Sequence, residues 1–325
     1  MNEMIDEILN EQLRYTLKVT NFPKLGKKYQ GKVRDNYSKE GVRIIISTDR
    51  ISSFDRVITT IPFKGQILNQ LSSFWFEKSK NVVKNHLISV PDPNVSVVRE
   101  CKTVPIEMVI RSYITGSLWR AYQKGEKFSG IEFPKGLRKN QKFNEPIITP
   151  STKATHGHDI YLSKKEILDR NLVSKSIYEQ MEEDTIKLFE FGQNFSKKNN
   201  LILVDTKYEF GLKDDELFVI DEIHTPDSSR FWIADTYEEL FGKSEEPEIL
   251  DKEFFRGWLM ETFPETFPNI KPNEKIPEIP NNIKVKLAKR YINNFERIIG
   301  VQFNPDTKKD PIERIKNNLK HAGYL

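Results

Sequence analysis

One stretch near the middle of the chain admits few folds. The apolar runs Leu201–Val204 and Leu217–Ile220 lead into two short acidic, polar segments, Asp205-Thr-Lys-Tyr-Glu-Phe-Gly211 and Val219-Ile-Asp-Glu-Ile-His-Thr-Pro-Asp-Ser-Ser-Arg230. Between them lies the turn signal Lys213-Asp-Asp-Glu216. Two apolar runs around a polar turn predict a β-hairpin. With Asp214–Glu216 as a three-residue loop, Glu209 is expected directly opposite Asp221. Side chains alternate along a strand, so Asp205, Lys207, Glu209 and Asp221 would share one face. Adjacent carboxylates repel unless a cation lies between them. Hard oxygen ligands with room left for phosphate oxygens suit Mg²⁺ bound with a nucleotide. The competing reading is an ordinary solvated face, since a one-residue slip in register would part the pair.

A second signal stands far upstream. Gly31-Lys-Val-Arg-Asp-Asn-Tyr37, a turn at Gly41 and Val42-Arg-Ile-Ile-Ile-Ser-Thr-Asp-Arg50 predict another hairpin, with Lys32 and Arg34 on a common face. Two cations at that spacing can clamp polyphosphate oxygens, Lys as a point charge and Arg as a fork. The Walker A and Rossmann glycine patterns are both absent.

Composition removes whole classes of function. Fifty-one basic residues against 47 acidic ones leave a formal charge of only +4, far from a nucleic-acid-binding balance. A single cysteine, Cys101, excludes an internal disulfide and a cysteine-cluster metal site, and fits a reducing compartment. The acidic start of the chain has no signal-peptide pattern, and no apolar run approaches bilayer length. A soluble, cytoplasmic protein with neither nucleic acid nor membrane as partner is expected.

Strand patterns fill the first hundred residues, interrupted by a helical spacing over 67–80, and a strand pair is expected at about 86–101 and 105–114. Residues 125–157 form a long polar stretch with little periodicity. Helical patterns follow at 163–170 and 175–199, and again after a Pro-rich connection at 283–299 and 310–320.

Gly31-Lys-Val-Arg-Asp35, Asn69-Gln-Leu-Ser-Ser-Phe-Trp-Phe76, Pro105-Ile-Glu-Met-Val-Ile-Arg-Ser-Tyr-Ile-Thr-Gly-Ser117, Asp205–Gly211 and Asp221–Arg230 together, in that order, resemble the SAICAR synthetase family of purine biosynthesis. Length and the Pro-rich C-terminal part are similar to its longer, fungal-type members.

The resemblance implies an α+β fold in two lobes, with a mainly antiparallel N-terminal lobe, a larger mixed α/β C-terminal lobe and ATP in a kinase-like cleft. The expected division is 1–104, 105–242 and a helical extension, 243–325, packed on the catalytic lobe. It further implies joining of carboxyaminoimidazole ribonucleotide (CAIR) to L-aspartate, with ATP and Mg²⁺, by an acyl phosphate. Carried over by motif, Lys32 and Arg34 would contact ATP phosphates, Glu209 and Asp221 would hold ATP with its Mg²⁺, and Lys207 would stand near the reacting carboxylate. Adenine would lie near Lys102–Met108. Arg111 and Ser117 match positions for the substrate's phosphate end, with Gly116 allowing close backbone approach. Asp227, Ser228, Ser229 and Arg230 match a substrate loop, and Lys252 and Arg256 a helix start that adds cations. The amine nucleophile needs a base, for which Asp205 and Asp227 are candidates. Lys153 and Asp159 are further substrate-side candidates, Asp55 could face either the aspartate or the ATP, and His156 and His158 are expected to be loop histidines. A monomer is expected. The rival readings are a small-molecule kinase, a nucleotide-binding regulator without catalysis and, with this charge balance least favoured, an RNA-binding module.

Overall fold

In chain order the strands are β1 (Lys27–Gln30), β2 (Arg34–Lys39), β3 (Val42–Ser47), β4 (Arg50–Ser53), β5 (Arg56–Thr60), β6 (Leu87–Asp92), β7 (Val95–Arg99), β8 (Lys102–Tyr113), β9 (Lys142–Ile148), β10 (Ser151–Thr152), β11 (Leu201–Lys213), β12 (Glu216–Ile220), β13 (Ser229–Ile233) and β14 (Ile249–Leu250). The helices are α1 (Asn2–Gln12), α2 (Lys64–Ser79), α3 (Gly116–Gln123), α4 (Lys164–Asp169), α5 (Lys175–Lys198), α6 (Ala234–Lys243), α7 (Glu253–Thr262), α8 (Asn281–Ile299) and α9 (Pro311–His321). The structure is a computed structural model that describes residues 2–153, 160–250, 253–271, 273–307 and 309–325. Among these, no helix is long and apolar enough to cross a membrane.

The chain divides into two units, the first made of residues 1–74, 87–100 and 251–325. Its five-stranded sheet, ordered β1-β2-β3-β7-β6, is antiparallel throughout, and β4–β5 form a separate hairpin. Glu40 and Gly41, both with positive φ, make the two-residue turn between β2 and β3. Lys32 is not on a strand as expected. It lies in the tight turn between β1 and β2, where the Gly31 amide donates to the Arg34 carbonyl at 2.8 Å. The expected strand pair at 86–101 and 105–114 is also replaced, because β6 pairs with β7 in this unit and β8 joins another sheet.

Tyr37, Ile44 and Ile46 point into a core completed by Val95 and Val97 and by Ile315 and Leu319 of α9. Residues 251–325 therefore cluster with the N-terminal residues, whereas the expected division sets 243–325 on the second lobe. Its anchor is charged: the Arg314 guanidinium donates to both oxygens of Asp92, at 3.0 and 3.1 Å. The two side chains are 3% and 0% exposed. Arg314→Leu leaves Asp92 buried without its main counter-charge and should cost about 3–5 kcal/mol in urea unfolding, the usual cost of halving a buried pair.

The second unit holds residues 75–86 and 101–250. Its antiparallel sheet runs β10-β8-β11-β13-β14, with β9 added on β8 and β12 on β11. The long β11 lies at its centre, paired with β8 along most of its length. α5 packs on β11, with Tyr178, Met181, Leu188 and Phe189 buried at helical spacing. Gly192 permits the closest approach there: a Cβ on it would lie 2.4 Å from His224 Cε1.

The hairpin expected around residues 205–221 forms in a different register. Asp214 and Asp215 both have positive φ and make a two-residue turn, so Lys213 pairs with Glu216 and Glu209 with Ile220. A two-residue turn with positive φ at both central positions matches the right-handed twist of the flanking strands. Asp221 consequently lies one residue beyond β12, at φ 71°, a left-handed conformation that a non-glycine residue keeps only when its surroundings enforce it.

His224 is wholly buried between Trp75, edge-on at 4.6 Å, and Tyr208, whose hydroxyl shares a 2.5 Å hydrogen bond with Nε2. Burial pulls its pKa down from 6.5 to about 3. Between those values the unfolded chain binds a proton that the folded chain does not, so stability falls as pH falls below 6.5. At about 1.4 kcal/mol per pH unit, acidification from pH 6.5 to 5 should cost about 2 kcal/mol from this residue. His224→Gln should flatten that part of the stability-against-pH curve, as followed by thermal melts.

Candidate active site

Three strands place three charges in one row. Asp205 on β11 pairs in register with Arg111 on β8 and with Arg230 on β13. Oδ2 of Asp205 accepts from Arg111 Nη1 and from Arg230 Nη1, each at 3.0 Å. Arg111 is further fixed by donating from Nε to Thr149 Oγ1 at 3.0 Å and from Nη2 to Ser117 Oγ at 3.4 Å. The Ser117 hydroxyl meets the Tyr161 hydroxyl at 3.0 Å. Gly116, at φ 57°, brings the backbone close, and a Cβ there would lie 2.9 Å from Arg230 Nη2. Two guanidiniums share one carboxylate, so one positive charge is left over beside a hydroxyl, a ready anion site. Arg111 is thus a buried, oriented cation, unlike the surface ion pair that its residue type alone would suggest.

Two residues along β11 a second cluster begins. Lys207 Nζ donates to Glu107 Oε1 at 3.0 Å and to Glu209 Oε1 at 2.5 Å, while Lys153 donates to the other oxygen of Glu209. Glu107 and Glu209 are opposite each other in register, so two buried carboxylates face one another with an ammonium between them. Burial alone would raise the Glu209 pKa, but the charges of Lys207 and Lys153 outweigh it and hold the value at about 2. For Lys207 burial opposes the charge, and Glu209, Asp221 and Glu107 overcome it and raise the pKa. Both groups are therefore charged at neutral pH. Asp221 lies close enough to Lys207 for its field to count.

The loop from Asp221 to Ser228 is organised by Thr225, whose hydroxyl donates to Glu222 at 2.6 Å and accepts from the Asp227 amide at 3.2 Å. The Ser228 hydroxyl accepts from the Thr225 amide at 3.1 Å, and its carbonyl accepts from the Lys207 amide at 3.1 Å. Asp227 and Ser228 are half-buried. Ser229, expected from the resemblance on the substrate side, is mostly buried within the sheet. It pairs with Thr206 on the face opposite Asp205, is 8% exposed and shares its hydroxyl with Thr206 at 2.7 Å, so it supports the strands.

Lys32, Arg34, Asp55 and Arg256 fall in the first unit. Lys32 pairs with Asp55 at 2.5 Å, both side chains being more than half exposed. A pair that open contributes at most about 1 kcal/mol, so an anionic ligand can take the lysine over. Arg34 is half-buried on β2. Arg256, on α7, lies over the Phe54 ring at 5.1 Å. Lys252, His156, His158 and Asp159 lie outside the described residues. Sequence reasoning gave no role to Glu107, Thr149 or Tyr161. Glu107 stood in plain view within Pro105–Ser117, but only the pairing of β8 with β11 aligns it with Glu209.

The sequence pattern of the SAICAR synthetase family matches residues 27–270. The chain belongs to the SAICAR synthetase family. Its relatives include the phosphoribosylaminoimidazole-succinocarboxamide synthase of Legionella pneumophila (strain Lens), 44% identical over 317 residues, covering 94% of this chain and 98% of the relative. That of Bacteroides thetaiotaomicron is 43% identical over 303 residues, covering 92% and 95%. Among solved structures, SAICAR-synthase from Saccharomyces cerevisiae complexed with SAICAR superposes with a TM-score of 0.76 at 31% identity, over 89% of this chain and all of that one. A SAICAR synthetase in complex with ADP shares the fold, with a TM-score of 0.64 at 23% identity, over 86% of this chain and all of that one. As a SAICAR synthetase the chain is an ATP-dependent carbon–nitrogen ligase that joins CAIR and L-aspartate in purine biosynthesis.

Proposed function

We propose that this SAICAR synthetase makes its amide through an acyl phosphate of CAIR, on the sheet face that carries Glu107, Arg111, Asp205, Lys207, Glu209 and Arg230. The single observation that carries the reading is the sharing of one Asp205 oxygen by two arginines beside Lys207, a fixed cationic row suited to a multiply anionic substrate. A carboxylate is a poor electrophile because its charge repels nucleophiles and its oxide is a poor leaving group. A CAIR carboxylate oxygen attacks the γ-phosphorus of ATP, and ADP leaves. The aspartate amine then attacks the acyl carbon, phosphate departs with that oxygen, and the amine gives up a proton.

Each residue then has a defined task. Arg111, Ser117 and Arg230 hold the phosphate end of CAIR, and Lys207 neutralises the carboxylate under attack. Lys32 and Arg34 contact the ATP phosphates, and Arg256 and Lys252 add cations for the substrates. Asp205 is tied to two guanidiniums, so Asp227, on the Thr225-centred loop, is assigned as the base for the amine. Ser228 positions that loop against β11.

Glu209 and Asp221 would hold Mg²⁺ bound with ATP, and the donor set fits. Glu209 is ionised, it supplies hard oxygens, and one of its two cationic partners is the partly exposed Lys153, which a divalent cation can displace. When bound, the metal would neutralise charge on the transferring phosphoryl group.

An ADP-release assay with ATP and Mg²⁺, adding CAIR and aspartate singly and together, tests the reading. ADP formation that needs CAIR, with an amide product of the expected mass when both are present, supports it. ADP release with aspartate alone, or none with both, contradicts it.

A further inference from the structure

Three consecutive carbonyls of the Lys32 turn are bound from below by two side chains with no place in the reaction above. Arg50, at the start of β4, donates from Nε to the Lys32 carbonyl at 2.9 Å and from Nη2 to the Gly31 carbonyl at 3.0 Å. Its third arm reaches the Lys18 carbonyl. Thr48 takes the next carbonyl, Val33, with its amide at 3.0 Å and its hydroxyl at 2.7 Å. Nη2 of Arg50 also donates to Asp35 Oδ1 at 2.8 Å, and the other Asp35 oxygen accepts from the Thr20 amide at 2.7 Å. The Arg50 side chain is 6% exposed and that of Asp35 is fully buried.

A planar trans peptide carries its C=O and N–H on opposite sides. Drawing the Gly31 and Lys32 carbonyls onto Arg50 therefore turns the Lys32 and Val33 amides the other way. A polyphosphate meeting this turn on the amide side then faces N–H dipoles; with the peptides flipped it would face carbonyl oxygens that repel it. Gly31 makes such a flip easy, so the backbone needs an external hold. We infer that Arg50, seconded by Thr48, is a positioning residue for ATP: it fixes the peptide orientation of the 31–33 turn so that this turn accepts the triphosphate. The inference rests on the reading of Lys32 as a phosphate contact.

The test is steady-state kinetics of Arg50→Lys, Thr48→Val, Lys32→Ala and the double Arg50→Lys/Lys32→Ala variant, with thermal melts of each. Lysine keeps the charge at position 50 but cannot reach two carbonyls and Asp35 as a fork. Arg50→Lys should raise the KM for ATP about tenfold, the order expected when a positioned group shifts by a fraction of an ångström, while the KM values for CAIR and aspartate stay put. The double variant should show little more ATP penalty than Lys32→Ala alone, because both changes act through one turn. A merely structural Arg50 would instead lower Tm and the active fraction and leave the KM for ATP untouched, which would overturn the inference. If Arg50→Lys does not melt cooperatively, Thr48→Val decides in its place, since it removes one hydroxyl and keeps the backbone bond to Val33; a threefold or greater rise in the KM for ATP supports the inference and no rise overturns it. An ATP penalty in Lys32→Ala with none in Arg50→Lys defeats the positioning role alone. An unchanged KM for ATP in Lys32→Ala defeats the phosphate reading and the inference built on it.

Discussion

Glu209→Gln should lower kcat by roughly 10²–10³-fold, the loss typical when a preorganised charge is removed from a reaction site. The substitution keeps the shape and one acceptor but removes the charge that Lys207 and Lys153 share. Lys207 retains Glu107, so its ammonium stays paired. The fold should therefore lose only about 1–3 kcal/mol, the cost of one weakened buried hydrogen-bond set. Saturating steady-state rates beside thermal melts separate the two effects. A variant within fivefold of the parent kcat would remove Glu209 from the reaction.

Asp205→Ala should do the reverse, damaging the fold as much as the chemistry. It leaves the Arg111 and Arg230 guanidiniums facing one another with no anion between them, in a site where Arg111 is 5% exposed. Removing one partner of a buried charge group costs about 3–5 kcal/mol. The KM for CAIR should also rise at least tenfold, because both arginines lose the group that aims them. Adding Arg230→Leu to Asp205→Ala should recover part of the stability by removing one of the two like charges, and none of the CAIR affinity. Additive losses of stability in the double variant would show that the two arginines do not interact through Asp205.

What the sequence could reveal follows from what is local. The 175–198 and 281–299 helices declare themselves by a single apolar stripe, and both are present. The hairpin around residues 205–221 is also legible, but its register is not: the pattern admits a three-residue loop over 214–216, and Asp214-Asp215 instead make a two-residue turn. One residue of slip moves Asp221 from the strand to the left-handed position beyond it. The row Arg111–Asp205–Arg230 depends on three strands brought together from distant parts of the chain, with irregularities after Leu203 and Glu209. No local pattern encodes that alignment, so the resemblance of motifs singles those residues out one by one, and only the strand pairing sets them side by side. The docking of α9 is hidden in the sequence for a similar reason. Ile315 and Leu319 announce an amphipathic helix, but nothing in their spacing says which core they cover.

Transfer of ¹⁸O tests the acyl phosphate most directly. CAIR labelled in both oxygens of its carboxylate is turned over with unlabelled ATP and aspartate, and the phosphate and SAICAR are weighed. One labelled oxygen in the phosphate and one in the new amide carbonyl is the predicted result, since the attacking oxygen must leave with phosphorus. Unlabelled phosphate would mean that ATP is not spent on that carboxylate, and the account of the site would have to be abandoned.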